Sequence, residues 1–378
     1  MDNIKIRIGI NALSLRPSHK GGAEAVFLNL AKGFVGNGFA KNIVYFCYPS
    51  MANELRCLSD EFEIVSIDIT INEKHGRFGA EWIQTTVFHK IYKKYNLDVI
   101  LFTNSEVGFL IYNIPTLVIP HDIQNVSKPE INKSKFQYWA NYLSYLNDFR
   151  KMDRIIAISI YDQREIEQYY PFTSNKIIQI YNPIDIKLSD ITIIPNKEKM
   201  ILAVNIQYPH KNIEILIKAF AIFHKKYADY KLILVGAKNK FTERLEDLVE
   251  KLKLTKNVIF TGFISKSELE FFWRRTALYV NPSKFEGFGM TSVESILYGA
   301  PTLLGNLEVN NEVTDGICYF FNNLDDEQEL AEVMEKIIKA PYDADDYYDK
   351  AYKIADKYDL CQISLKYIES ICELTHKR

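Results

Sequence analysis

Residues 278–298, LYVNPSKFEGFGMTSVESILY, decide the fold. They open with a short apolar run, 278–281, and close with a stretch, 291–298, whose apolar residues recur at helical spacing. Between these lie Glu286, Gly287, Phe288 and Gly289. A strand that turns through glycines directly into a helix is the repeating unit of parallel α/β sheets. The glycines let the backbone approach a ligand with no Cβ in the way. The N–H groups near Gly289, Met290 and Thr291 at the helix start form an anion site that fits a diphosphate. Glu286, held before the turn, would face whatever hangs from the phosphate. Glu294, further inside the helix, can accept hydrogen bonds from vicinal hydroxyls such as those of a ribose. The pattern reads as an address for a nucleotide sugar; the plainer alternative is a loop with two solvated glutamates.

The same rhythm continues outward. Further strands are expected over 200–205, 230–236, 258–261 and 302–305, alternating with helices over 212–227, 241–252 and 266–274, and helices over 327–338 and 347–377 close the chain. The first half repeats the pattern, with apolar runs at 4–10, 43–47, 99–103, 116–120, 154–159 and 177–180 and helices at 23–34, 80–95 and 160–170. These runs are too continuous for a sheet with one wet face, so both sheets are expected to be parallel and covered on both sides. Residues 182–199, with Pro183 and Pro195, follow neither period and read as a linker. The expected organisation is α/β, with a first Rossmann-like domain over 1–184, a linker over 185–199 and a second such domain over 200–355. A C-terminal helix over 356–378 can pack back on the first domain. Open parallel sheets bind ligands at the carboxyl ends of their strands, so the expected site is a cleft that the two domains face.

A chain of 378 residues, 47% apolar, is long enough for two cores. Lys and Arg total 46 against 48 Asp and Glu, which removes any global electrostatic reason to expect nucleic acid. Cys47, Cys57, Cys318, Cys361 and Cys372 are scattered and never form a CxxC pair, as expected of free thiols in a reducing compartment rather than of disulfides or a zinc site. The start, from Met1 through Lys5 and Arg7, shows no charged-then-apolar leader, and no apolar run approaches the roughly 20 residues that cross a bilayer. The expected location is the cytoplasm, with any membrane contact peripheral and at the inner face. The stretch 136–149, with Tyr138, Trp139, Tyr142 and Tyr145 beside Lys133, Lys135, Arg150 and Lys151, reads first as core at helical spacing and second as a surface resting on a membrane.

Glu286 to Glu294 matches the E-x7-E signature of retaining glycosyltransferases with the GT-B fold, and the run EGFGMTSVESILYGAPTL resembles glycosyltransferase family 4. The likeness covers nearly the whole chain. Gly21-Gly22-Ala23-Glu24 resembles the family's glycine-rich first loop, Pro120-His121-Asp122 its histidine segment, and Ile180-Tyr181-Asn182-Pro183 its domain exit. Phe260-Thr261-Gly262-Phe263-Ile264 resembles the segment that contacts the base, and Lys211-Asn212 falls where the family keeps a phosphate-binding lysine.

The resemblance implies roles. Lys211 would neutralise the diphosphate as it leaves, a large electrostatic term; a solvated lysine is the alternative, although a cation at a helix start opposes the dipole. His121 would lie near the reacting carbon, and Glu286 with Lys211 would complete the catalytic set. Gly22, Asn205, His210, Ile264, Phe288, Gly289, Met290, Thr291 and Glu294 would join Lys211 and Glu286 in holding the donor. Gly21 and Gly22 read equally well as a tight turn alone. The family often has an arginine six positions before the lysine or directly before it; here those positions are Asn205 and His210. Either a protonated His210 or a cation from elsewhere would replace it.

No acidic pair of the DxD kind sits where a divalent ion would bridge the diphosphate, so transfer is expected without metal or cofactor. Retention ordinarily suggests double displacement through a carboxylate. No nucleophile stands out in the first domain, and the resemblance implies front-face attack through a short-lived ion pair instead. The expected partners are a UDP-, GDP- or dTDP-linked sugar and a saccharide or lipid-linked saccharide acceptor, in polysaccharide, capsule or O-antigen assembly. The alternatives are a catalytically silent nucleotide-sugar-binding subunit and a GT-B sugar-nucleotide epimerase. A nicotinamide dehydrogenase is disfavoured because no GxGxxG follows the first strand.

Overall fold

Strands form where Ile, Val, Leu and Phe run without polar interruption. In the computed structural model, which describes residues 5–15, 21–68, 76–186, 189 and 191–376, they build two separate parallel sheets. Ile4 and Lys377, at the outer ends of an expected strand and helix, lie outside the described residues, as do Lys187, Leu188 and Asp190 of the expected linker. The chain divides into one unit made of Met1–Asp185 and Tyr358–Arg378 and another made of Ile186–Lys357.

The first unit's strands are β1 (Ile8–Asn11), β2 (Ile43–Cys47), β3 (Glu63–Ser66), β4 (Val99–Phe102), β5 (Thr116–Val118), β6 (Arg154–Ala157) and β7 (Ile177–Gln179). Their order is β3-β2-β1-β4-β5-β6-β7, with every neighbouring pair parallel. All residues of β1, β2, β4 and β6 are buried, as their largely apolar character requires of a sheet covered on both faces. The second unit's strands are β8 (Glu198–Val204), β9 (Lys231–Val235), β10 (Val258–Gly262), β11 (Thr276–Asn281), β12 (Thr302–Gly305) and β13 (Tyr319–Phe321). They run β10-β9-β8-β11-β12-β13, again all parallel. One face is packed by residues such as Leu216, Phe220 and Leu330, the other by Trp273, Tyr279 and Tyr298. Each such side chain contributes roughly 1.5–3 kcal/mol through burial. Both units therefore have the Rossmann-like order, in which the strand after the central crossover lies beside the first.

Three elements differ from the sequence reading. The expected helix over 347–377 is two helices, Ala344–Lys357 and Leu360–His376. Between them Tyr358 and Asp359 leave the helix: the Tyr358 carbonyl accepts the Ile184 N–H at 3.0 Å, and Asp359 Oδ1 caps the next helix at Gln362 N. Leu360–His376 then lies against the Gly22–Gly36 helix so closely that a Cβ on Gly33 would meet the Leu360 carbonyl at 2.5 Å. The expected helix over 80–95 is interrupted by a π turn, Gln84–Phe88. Gln84 and Phe88, at the two ends of that turn, both face the sheet. Gln84 Oε1 accepts from Asn11 Nδ2 at 2.6 Å, and Phe88 packs edge-on against Phe46 and Phe102. The aromatic stretch forms the Lys135–Lys151 helix, which buries Tyr145 and Phe149 in the core but leaves Phe136, Trp139 and Leu143 exposed.

Candidate active site

At the carboxyl end of β11 the side chain of Asn281 organises the turn. Its Oδ1 accepts from Ser283 Oγ at 2.6 Å, while its Nδ2 donates to Glu286 Oε1 and to Ser292 Oγ, both at 3.3 Å. Phe288 is buried and pins the loop. Gly289 has φ +84°, the left-handed region that glycine enters without strain, and it caps the Met290–Leu297 helix. The first N–H groups of that helix, at Met290 and Thr291, have no carbonyl before them to bind and carry the positive end of its dipole. Tyr279 Oη holds Thr291 Oγ1 at 2.8 Å. Asn310, which anchors its Nδ2 on the Gly305 carbonyl, keeps a buried and unpartnered Oδ1 beside the same turn, 3.6 Å from where a Cβ on Gly289 would stand. Glu294 is half-buried further along the helix.

Glu286 does not face solvent. Both its oxygens accept from Lys211 Nζ, at 2.7 and 2.8 Å, and only a tenth of the carboxylate side chain and a fifth of the lysine remain exposed. Burial pushes the Glu286 carboxyl up. The Lys211 charge, with hydrogen bonds from Lys211, Ser283 and Asn281, outweighs that and holds it below the usual carboxylate value. Lys211 reaches this position from the short turn Pro209–Lys211 after β8, followed by Asn212 at φ +56°. The alternative of a solvated lysine therefore does not hold.

His210 stacks on both Tyr208 and Phe285, with ring centroids 5.8 and 4.8 Å away and rings nearly parallel. Burial, reinforced by the neighbouring Lys211, pushes its pKa down to about 4, so the ring is uncharged near neutral pH. This packing opposes a protonated His210 in place of the family's arginine. Asn205, at the end of β8, keeps a buried Nδ2 with no hydrogen-bond partner. Lys211 is thus the cation this segment supplies. At the end of β10, Gly262 turns the chain at φ +71°, Phe263 is exposed, and Ile264 packs against the Trp273 side of the core.

In the first unit, Gly22 opens the Gly22–Gly36 helix, and a Cβ added there would have nothing within 4 Å. Gly21 N donates to Glu24 Oε2 at 3.0 Å. His121 sits at φ +63°, a conformation costing a non-glycine residue about 1–2 kcal/mol. Its Nε2 donates to the Thr103 carbonyl at 2.9 Å, and burial lowers its pKa to about 4. A neutral ring bonded in this way leaves Nδ1 as its acceptor. Asp122 Oδ1 accepts from Gln124 N at 3.0 Å and so shapes the loop.

Two features escaped the sequence reading. Asn281 and Ser283 lie inside the quoted stretch, and the Asx-type turn they form was their only signal. The other is a buried cluster in the first unit. Arg77 donates to Asp148 at 2.8 Å and to Ser144 at 2.6 Å and lies 4.3 Å over the Tyr145 ring, while Glu81 accepts from Gly108 N at 2.6 Å. Burial raises the pKa of both Asp148 and Glu81, against the pull of Arg77.

The chain is 28% identical over 237 residues to the O-antigen chain mannosyltransferase RfbU of Salmonella typhimurium, covering 61% of this chain and 64% of that protein. It is 29% identical over 246 residues to the serotype-specific mannosyltransferase WbdA of Escherichia coli, covering 60% of this chain and 30% of that protein. The matches thus span less than two thirds of these relatives. Among solved structures, Anabaena HepE in complex with UDP and glucose superimposes with a TM-score of 0.75 over 97% of this chain and 100% of that one, at 18% identity, a likeness of fold. The family model for Glycosyltransferase Family 4 matches residues 20–188, and that for Glycosyl transferases group 1 matches residues 185–354. Matched through both halves, the chain belongs to glycosyltransferase family 4, in the glycosyl transferases group 1, and has the GT-B fold of two Rossmann-like domains.

Proposed function

We propose that the protein is a retaining, metal-independent glycosyltransferase that moves a sugar from a nucleotide-sugar donor to a saccharide or lipid-linked saccharide acceptor in polysaccharide or O-antigen assembly. The observation that carries the proposal is the buried Lys211–Glu286 pair next to the glycine-capped start of the Met290–Leu297 helix. A lysine held by two carboxylate bonds is preorganised, and a diphosphate arriving at the helix start can take over one of them without the site rearranging. The dipole end and Lys211 then carry the leaving group's charge, and no divalent ion is required of them. Glu286, released in part from Lys211, is free to accept hydroxyls of the donor sugar. Glu294 takes the ribose, Ile264 the base, and His121 keeps the role that the resemblance gives it. The leaving phosphate accepts the acceptor's proton as the new glycosidic bond forms on the face the nucleotide leaves. The relatives named as mannosyltransferases favour a hexosyl donor, with mannose the first to test.

A second reading, a nucleotide-sugar-binding subunit without turnover, is favoured by one observation: neither Asn205 nor His210 supplies the second positive charge. One experiment separates them. Thermal shift against UDP, GDP, dTDP and ADP sugars identifies the donor, and release of free nucleotide from it is then measured for wild type, Glu286→Ala and Lys211→Ala. Turnover by wild type that is lost in both variants supports the transferase. Selective stabilisation with no turnover, with or without acceptor, overturns it in favour of the binder.

A further inference from the structure

Three segments of the first unit carry large apolar side chains to the outside. On the Lys135–Lys151 helix, Phe136 (81% exposed), Trp139 (56%) and Leu143 (56%) fall on one face. Phe109, Leu110 and Ile111 (76%) form an exposed loop tip, and Trp82 (60%) stands near the end of the Gly76–Ile83 helix. A largely buried polar lattice fastens the three together. Arg77 bonds Ser144 and Asp148 on the long helix, and Ser144 Oγ and Gly108 N both bond the Glu81 carboxylate. Asn147 and Lys151 donate to the Gly108 carbonyl, and Phe109 N donates to Thr85 Oγ1. The exposed rings therefore belong to one held platform rather than to independent loops. Soluble monomers seldom leave so contiguous an apolar surface without a use for it.

The charges around the platform choose its partner. In residues 76–94, 106–112 and 133–151 the only acids are Glu81, Glu106 and Asp148; Glu81 and Asp148 are buried, and Glu106 is half-buried with its Oε2 shielded from solvent. Lys90, Lys93, Lys94, Lys133, Lys135 and Arg150 are exposed. Two copies of this face would set like charges against each other, which disfavours self-association. Aromatic tips within a cationic rim match a layer that is apolar below and anionic at its surface.

We propose that this face docks the protein on an anionic lipid bilayer, the rings of Phe136, Trp139, Phe109 and Trp82 entering the headgroup region while the lysines meet lipid phosphates. The inference uses none of the residues assigned to transfer, so either reading can fail alone. Taken together, they make a lipid-linked saccharide the acceptor to test first.

The full-length chain is mixed with vesicles of phosphatidylcholine alone or of phosphatidylcholine with phosphatidylglycerol, and binding is read by co-sedimentation. Trp82 and Trp139 lie on the face while Trp273 is buried, so tryptophan emission reports docking directly. The expected result is a blue shift and sedimentation with the anionic vesicles only, with a partition coefficient that drops about tenfold or more in high salt. Phe136→Ser/Trp139→Ser/Leu143→Ser, and separately Lys133→Gln/Lys135→Gln, lower it at least severalfold while the circular-dichroism melt stays that of wild type. The proposal is overturned by a wild type that ignores anionic vesicles, or by binding that neither variant weakens. It is equally overturned by a wild-type dimer that the ring variant turns into a monomer.

Discussion

Replacing Lys211 by Met should change not only how stable the second unit is but how that stability depends on pH. In the wild type, Glu286 is buried and takes two bonds from Lys211, with Asn281 Nδ2 a longer third partner at 3.3 Å. Removing one member of a buried pair costs about 3–5 kcal/mol, and because a fifth of the lysine is already exposed the lower end, about 3 kcal/mol, is expected. For a domain of this size that lowers Tm by roughly 6–12 °C. The sign of the pH response should also reverse. With its folded pKa below the unfolded value, wild-type Glu286 contributes stability that is fully present above about pH 4.3 and is lost as pH falls through the folded pKa. In Lys211→Met, burial, the largest influence on Glu286, is opposed only by the hydrogen bonds from Ser283 and Asn281 and raises the folded pKa, so Glu286 opposes folding at neutral pH and the deficit shrinks as pH falls. Urea unfolding of both proteins from about pH 7 down to about pH 4 measures this directly. Lys211→Met/Glu286→Gln should regain part of the loss, since no charge is left buried. Parallel pH curves for wild type and Lys211→Met would refute the reasoning, because they would mean that the pair is solvated.

Donor affinity should stay flat from about pH 8 to about pH 5.5, since His210 titrates only near 4; a step near pH 6.5, the ordinary histidine value, in a donor titration would show that His210 is charged in the complex. Gly289→Ala has room for its Cβ, the nearest atom being Ser292 Oγ at 3.5 Å, so the φ of +84° sets the cost at about 1–2 kcal/mol, read as a lower Tm together with weakened donor binding. Arg77→Met strands Asp148 and Glu81 in the first unit, and a loss of about 3–5 kcal/mol is expected in urea unfolding; a loss under about 1 kcal/mol would mean that the two acids are already protonated. Gly33→Ala should destabilise by about 1–3 kcal/mol and expose the Leu360–His376 helix to limited proteolysis, because its Cβ would stand 2.5 Å from the Leu360 carbonyl.

Both sheets were legible because their central strands carry mostly apolar residues on both faces, which burial on two faces demands. The edge strands β3 and β13 were not, since Glu63–Ser66 is polar at both ends and Tyr319–Phe321 is only three residues long. The glycine turn at Gly289 and its helix start follow from spacing alone. The neutral state of His210 does not, because the ring that desolvates it, Phe285, arrives from a different strand end. Arg77 and Asp148 are 71 positions apart, and nothing local to either announces the other. The break at Tyr358 was hidden for the same reason: the group that draws its carbonyl out of the helix is the N–H of Ile184. In the aromatic stretch the period was right but too coarse, since one arc of the helix meets the core and the opposite arc meets water.

The pairing of Ile184 with Tyr358 means that the first unit is written in two instalments, with the whole of Ile186–Lys357 between them. While the protein is being made, the Gly22–Gly36 helix leaves the ribosome with Gly33 and Gly36 uncovered and must wait for Leu360–His376 to be synthesised, on the order of half a minute at ordinary elongation rates. The half that begins first is therefore the half that finishes last, and over that interval its unfinished groove is exposed to chaperones and proteases.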